Sequence, residues 1–434
     1  MSEPAPHARG KDLDCFVTGA RPFRRHGATG GPESYSDQMP APPAAGLRPQ
    51  DPQYRRALLA LGATGVAAFA MVYVVQPLLP LVSAELGVGA TRASLLVSAS
   101  TLGIAVAVLP LARLSERVGR GRTMVLGLAG AVVAGVVAAL APTFALMLLA
   151  RAVQGAAMAA VPAAALAWVA ENVASGWVTR VAGLYVAGTT VGGMGGRVLG
   201  GVVADVTTWR AAMLVVALAG AGLTAAAALL LPRSSRAPTR AGHQPRTDDD
   251  GARVARIRVY LLGGLGMAMF VGVYNVIGYR THAPPFLLGT GLGSMFYLSY
   301  LAGTATSSLA GRLERRAGLR TTALTGLAAC AAGVALTVPN SLVLVWLGLA
   351  VVAAGFFMVH AVASAASARL SPRPSDGSGT DTLAYYAGSS VGGVLLGQAW
   401  EVGAWGGTAV AAVAIIAVAG AVAAGLPRGG RRSR

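Results

Sequence analysis

Long apolar runs alternate with short polar breaks along most of this chain. Twelve runs can be drawn, at 57–81, 92–112, 123–141, 144–169, 181–204, 209–231, 259–279, 291–311, 321–338, 341–368, 382–403 and 405–426. A helix rising ~1.5 Å per residue needs ~20 residues to cross ~30 Å of hydrocarbon, and each run reaches or nearly reaches that length. The pattern predicts an all-α integral membrane protein with twelve transmembrane helices.

The polar stretches divide the chain. Residues 1–55 lack the apolar core of a signal peptide and are expected to be a disordered cytoplasmic tail. Runs one to six fall in 56–232 and runs seven to twelve in 258–426. Between them, 233–257 is rich in arginine and proline, carries Asp248, Asp249 and Asp250, and reads as a flexible linker. Residues 427–434 form a basic tail.

Two motifs recur at nearly one distance. Aligning Gly119 of the charged stretch 111–122 with Gly318 of 310–320 gives an offset of 199, and Gly188-Thr189-Thr190-Val191-Gly192-Gly193 returns as Gly388-Ser389-Ser390-Val391-Gly392-Gly393 at 200. A shared offset implies duplication of about half the chain, hence two pseudo-symmetric six-helix bundles, the architecture of a transporter.

Composition agrees. Hydrophobic residues make up 54% and charged residues 12%, about half the ~25% of a soluble domain. The net charge of +18 could suggest nucleic acid, but the arginines sit between apolar runs rather than on one soluble face. With the N-terminus inside, the short inner connections, the linker and the C-terminal tail hold 22 arginines and the outer connections three, Arg92, Arg210 and Arg280. That bias places both termini in the cytoplasm. Cys15 and Cys330 imply neither a disulfide framework nor a metal site.

Only Arg151 and Arg197 lie away from the ends of the runs, where a charge is costly and commonly serves function. Arg151, followed by Gln154 and Gly155, is expected to face a cavity, tuning a proton site or binding an anionic group. Arg197, after Gly192, Gly193 and Gly196, is a candidate for substrate or gate contact. Gln76 beside Pro77 could line the cavity, with Asn275 and Tyr279 as second-half counterparts. His360 is either a proton relay or a packing donor. The glycines Gly188, Gly192, Gly193, Gly196, Gly388, Gly392 and Gly393 are spaced for close helix packing, expected at the interface between halves. Gly388-Ser389-Ser390-Val391-Gly392 fits a hydrolase nucleophile elbow by letter, but an apolar helix is the wrong setting. No Asp or Glu falls clearly inside a run, Asp381, Glu401, Asp205, Glu85 and Glu171 being near ends. Neutral or anionic cargo is therefore expected, or coupling through His360 or one of these end-lying carboxylates.

The stretch Ala112-Arg113-Leu114-Ser115-Glu116-Arg117-Val118-Gly119-Arg120-Gly121 resembles the G-x-L-S-D-R-x-G-R-R loop of the major facilitator superfamily, with Ala112, Glu116 and Gly121 as departures. Arg151-Ala152-Val153-Gln154-Gly155 is similar to the R-x-x-Q-G element of proton-coupled members. The fifth run resembles the exporters' G-x-x-x-G-P-x-x-G element, with Gly193 in place of proline. The resemblance implies alternating access, gating by Glu116, Arg117, Gly119, Arg120 and Arg122 with Gly311, Glu314, Arg315 and Gly318 as the second copy, and Glu116 pairing with another helix in a contact that breaks as the halves rock. It further implies proton-coupled efflux of a small organic molecule in the drug:proton antiporter branch, from the cell membrane, by a monomer surrounded by lipid, with no cofactor beyond the proton gradient. An importer on the same fold is the alternative. A membrane-embedded enzyme or sensor is remote, since no paired acid and base, metal cluster or appended soluble domain is found.

Overall fold

The computed structural model describes residues 46–232, 250–372 and 374–427. The first half comprises α1 (Pro52–Tyr73), α2 (Leu79–Leu86), α3 (Ala90–Val118), α4 (Arg120–Leu140), α5 (Phe144–Met158), α6 (Ala160–Asn172), α7 (Val178–Val206) and α8 (Trp209–Leu230). The second comprises α9 (Asp250–His282), α10 (Thr290–Ser294), α11 (Tyr300–Leu336), α12 (Leu342–Leu370) and α13 (Pro374–Ala424). Among the described residues the only extended pairing is one isolated bridge, Leu47 with Val173.

Nine helical stretches among the described residues are long and apolar enough to cross a membrane. Two of them, Thr290–Leu336 and Gly377–Ala424, run 47 and 48 residues, or ~70 Å, more than twice a bilayer core. The first breaks at Gly318 and the second at Gly403 and Ala404, so each supplies two crossings. With α7, 29 residues diluted by glycine and arginine, the set agrees with twelve. Packing follows the duplication: α1 lies on α7 as α9 lies on α13, and α3 on α5 as α11 on α12.

Two boundaries differ from the expectation. The tail was expected to run to 55, yet α1 starts at Pro52, and Leu47 donates its N–H to Asn172 O at 2.8 Å and accepts from Ala174 N–H at 3.2 Å. Residues 46–51 thus stitch beneath the end of α6, because Leu47 and Gly46 fit against the Val173 backbone. The linker was expected to reach 257, yet α9 begins at Asp250. Its arginines cap neighbouring helices: Arg256 Nη1 donates to Leu370 O at 3.3 Å, and Arg258 Nη1 donates to Gly425 O. Arginine at a helix C-terminus satisfies free carbonyls and complements the dipole. The rest of both polar stretches lies outside the described residues.

Candidate functional site

We call the side where α1 and α9 begin the terminal face and the opposite side the far face. The site starts from a backbone defect. Pro77 and Pro80 carry no N–H, and the chain leaves helical geometry between α1 and α2. Gln76 N–H bonds Tyr73 O in a tighter turn instead of Val72 O. Arg151 fills the gap: its Nη1 donates to Met71 O at 3.0 Å, Nη2 to Val72 O, Nε to Leu96 O at 3.1 Å, and Nη1 also to Gln154 Oε1. Gln154 Nε2 donates on to Ala131 O at 3.1 Å. Arg151 was expected to face a cavity; it is fully buried and ties α1, α3, α4 and α5 together. The carbonyls freed by the proline break drew it inward.

The same break presents Gln76 to the second half. Its Nε2 donates to Asn275 Oδ1 at 2.6 Å, across 199 residues of sequence, which is the repeat offset itself. A residue touching its own repeat mate sits beside the pseudo-twofold axis, so this bond marks the molecular centre. Gln76 Oε1 accepts from Arg197 Nε at 2.6 Å, while Arg197 Nη1 donates to Gly193 O at 2.6 Å and Nη2 to Tyr300 Oη at 3.2 Å. The guanidinium lies over three rings, Tyr73 at 4.1 Å, Tyr300 at 4.8 Å and Tyr297 at 5.2 Å. Among the described residues it has no ion-pair partner. Electron-rich ring faces and carbonyls stand in for a counter-ion.

Beyond Tyr300 the aromatics continue. Phe270 meets Tyr300 at 4.9 Å and stacks on Phe356 at 4.0 Å, Phe356 stacks on His360 at 5.8 Å, and His360 meets Tyr385 at 4.6 Å. His360 is therefore half-buried at the end of an aromatic array that begins at Arg197. Asn275 Nδ2 is buried without a partner, beside space that Gly393 keeps open: a Cβ there would lie 2.7 Å from it and 2.9 Å from Ser98 Oγ. Tyr279 stands nearer the far face, bonded to Ser83 Oγ at 2.6 Å and Leu79 O at 3.2 Å.

The sequence reading missed Tyr73, Tyr297, Tyr300, Phe270 and Tyr385 as site residues. In a chain with 6% aromatics, the cluster from Met295 to Tyr300 was the available signal. It also missed Asp381 as an embedded acid. That residue was placed before its run, whereas α13 begins at Pro374 and buries it. The polar residues preceding it disguised the helix start.

Of the packing glycines expected between the halves, only Gly393 meets the other half, at Ser98. A Cβ on Gly188, Gly192 or Gly196 would meet the backbone of Gly62, Val66 or Ala70 in α1, and one on Gly388 or Gly392 would meet Gly264 or Ala268 in α9. They close each half internally, since the helix face they line is the one turned toward its own bundle. Gly193 and Gly393 point elsewhere, to the Arg197 guanidinium and to Asn275 with Ser98. Glycines at the half-to-half contact include Gly201 against Ser294, and Gly397 against Thr91.

Every hydrogen bond between the halves among the described residues lies at mid-depth or toward the far face. Besides those above, Ser98 and Thr101 bond Ser390, and two carboxylates reach helix starts. Glu401 accepts from Thr91 N–H at 3.0 Å and Thr91 Oγ1 at 2.8 Å, and Asp205 accepts from Gly291 N–H at 2.8 Å. These contacts close the two halves together toward the far face, beside a shallow hollow of about 550 Å³ near Trp400 and Glu401.

The family model described as Major Facilitator Superfamily matches residues 61–397. The chain belongs to this superfamily. It is 32% identical over 394 residues to the inner membrane transport protein YnfM of Escherichia coli K12, covering 87% of this chain and 92% of that protein. It is 30% identical over 360 residues to the uncharacterized MFS-type transporter YybF of Bacillus subtilis, covering 82% and 89%. Among solved structures, it resembles a bacterial homologue of the human lysosomal transporter Spinster in an inward-facing, occupied conformation, with TM-score 0.69, 16% identity, and 86% and 96% coverage. The human organic anion transporter MFSD10 gives TM-score 0.62 at 17% identity, covering 86% and 100%. The protein is thus a multi-pass membrane transporter.

The superfamily-like loop shows how its residues are used here. Gly119 and its mate Gly318 both take positive φ, 99° and 84°, a conformation that favours glycine. Glu116, exposed at the end of α3, pairs with Arg120 at the start of α4 at 3.4 Å, a contact with another helix of the same half. Arg120 also links to Glu171 at the end of α6 at 3.2 Å. In the second half the polarity is reversed, Glu314 bonding Arg369 at the end of α12. Each link stays within one half. Arg117, Arg122 and Arg315 are exposed, and Gly311 lies beside the Arg315 side chain.

Proposed function

We propose that this superfamily member is a proton-coupled exporter of a small neutral or anionic organic molecule, working in the cell membrane by alternating access with both termini cytoplasmic. One observation carries the reading: Arg197, buried at the pseudo-twofold axis with no acid partner among the described residues, lies in a ring of tyrosines from both halves. A cation so placed attracts the anionic or electron-rich part of a cargo, while the rings accept its apolar body. The arginine distribution supports the orientation. Export is supported by the fifth-span glycine element and by 31% identity over 166 residues to the multidrug resistance protein Stp of Mycobacterium tuberculosis, which covers 37% of this chain.

Growth inhibition in an efflux-deficient bacterial host tests the proposal. Neutral, anionic and cationic antibiotics would be compared in cells expressing the wild type or Arg197→Lys, with and without a protonophore. The expected result is resistance to neutral or anionic compounds, lost with the protonophore and in the variant at equal membrane expression. Lysine keeps the charge but not the planar fork that bonds Gln76 and Tyr300. Resistance that survives the protonophore would rule out proton coupling. Resistance confined to cationic compounds would overturn the cargo class.

A further inference from the structure

The proposed proton coupling needs a group that gains and loses a proton within the membrane, and the mechanism so far names none. Asp381 is the described carboxylate best placed for it. It lies inside α13, only 4% exposed, in the candidate span Gly377–Ala424. Helix spacing sets four side chains together, because residues four apart share a face. Asp381 and Tyr385 come from α13, His360 and Ser364 from α12. The rings of His360 and Tyr385 are 4.6 Å apart, and the Ser364 side chain lies beside the Asp381 carboxylate. From α9 the neighbour is Gly263, whose absent side chain lets the helix lie against Asp381: a Cβ there would be 3.3 Å from Oδ1. From α3, Leu109 meets α13 at Gly379. No arginine, and no histidine other than His360, faces the group from these elements, and Asp381 has no ion pair among the described residues.

An ionised carboxylate here would be a charge without water or cation, which is costly in a low-dielectric interior. A protonated carboxyl is a neutral hydrogen-bonding group and suits the site. We propose that Asp381 carries the coupling proton, in a site completed by Ser364, His360 and Tyr385. The inference rests on the proton-coupled reading above. In each cycle one proton enters from the far face, binds one Asp381 carboxylate oxygen, and leaves from that same oxygen to water at the terminal face. The array from His360 through Phe356 and Phe270 to Tyr300 and Arg197 places this site in packing contact with the cargo site.

The site can be tested without a known cargo. Infrared difference spectra of the purified, reconstituted protein over a pH series should show a protonated-carboxyl carbonyl band that disappears at high pH. The band should be absent from Asp381→Asn and restored by Asp381→Glu. A wild-type spectrum without the band, or a band kept in the Asn variant, overturns the assignment. Should the Asn variant fail to fold, Ser364→Ala carries the test, since losing the hydroxyl must shift the band; an unmoved band overturns the site. The coupling role has its own readout. In a background with Cys15 and Cys330 replaced by alanine, Ser94→Cys would be labelled from the far face with an impermeant thiol reagent. Proton binding favours the far-closed form, so labelling should rise with pH and become pH-independent once Asp381→Asn is added. Persistent pH dependence in that variant overturns the role. The protonophore experiment above decides the proton-coupled reading separately, as it makes no use of Asp381.

Discussion

Arg151 and Arg197 show how two buried arginines of similar sequence setting come to different work. Arg151 repairs backbone: three of its bonds end on carbonyls of α1 and α3, next to the turn that Pro77 distorts. Arg197 bonds Gln76 and a tyrosine from the opposite half, and covers rings instead. Replacing Arg151 by Ala strands those carbonyls, at about 1–3 kcal/mol for each buried group left unsatisfied. Lysine in its place concentrates three donors at one point and cannot span them. Both variants should therefore lower the melting temperature in detergent, Ala more than Lys, measured by tryptophan fluorescence on protein that still elutes as a single species. Gln154→Ala should have a smaller effect, because it frees only the Ala131 carbonyl and one arginine donor. An Arg151→Ala protein that melts like the wild type would return this residue to the candidates for cargo binding.

At the scale of helices, the sequence was most legible where spacing alone decides. The runs located the spans, and the 199-residue offset foretold the paired halves and named Asn275 as a counterpart of Gln76, though not the bond between them. What it did not disclose was facing. Gly192 and Gly193 are neighbours in sequence, yet one lies on the Val66 backbone and the other against Arg197. A rotation of ~100° per residue separates them, and only the packed bundle fixes its origin. Asp381 was hidden for a related reason, since a helix beginning in polar residues carries no apolar signal at its start. The facing of the glycines makes a graded prediction. A Cβ on Gly392 would sit 2.0 Å from Ala268 O and one on Gly192 2.3 Å from Val66 O, whereas at Gly195 nothing lies within 4 Å. Gly392→Ala and Gly192→Ala should each destabilise by about 1–3 kcal/mol or more through overpacking, and Gly195→Ala should be neutral or slightly stabilising. Detergent melting curves of the three variants compare them directly.

For the whole molecule, the closed far face depends on two carboxylates at the ends of repeat-related crossings, whose partners Thr91 and Gly291 lie 200 residues apart. Glu401 ends the eleventh crossing and holds the start of α3; Asp205 ends the fifth and holds the start of the Thr290–Leu336 helical run. Each sets a negative charge at the positive end of a helix dipole belonging to the other half. Because both are exposed, the attraction is screened, and about 1 kcal/mol each is a reasonable scale. Such a latch holds a gate without freezing it, since each contributes roughly a five-fold bias to the closed form. Glu401→Gln and Asp205→Asn keep an oxygen acceptor but remove the charge. Each should raise far-face labelling of Ser94→Cys by roughly five-fold, and the double variant by roughly the product, because the two contacts lie on different helix pairs and share no partner. Raising the ionic strength should mimic the substitutions in the wild type and have little effect in the double variant. Labelling that ignores both the substitutions and the salt would show that the far face is held instead by the uncharged contacts, Gln76 with Asn275 and Ser98 with Ser390, and that the rocking of the halves is governed at mid-depth.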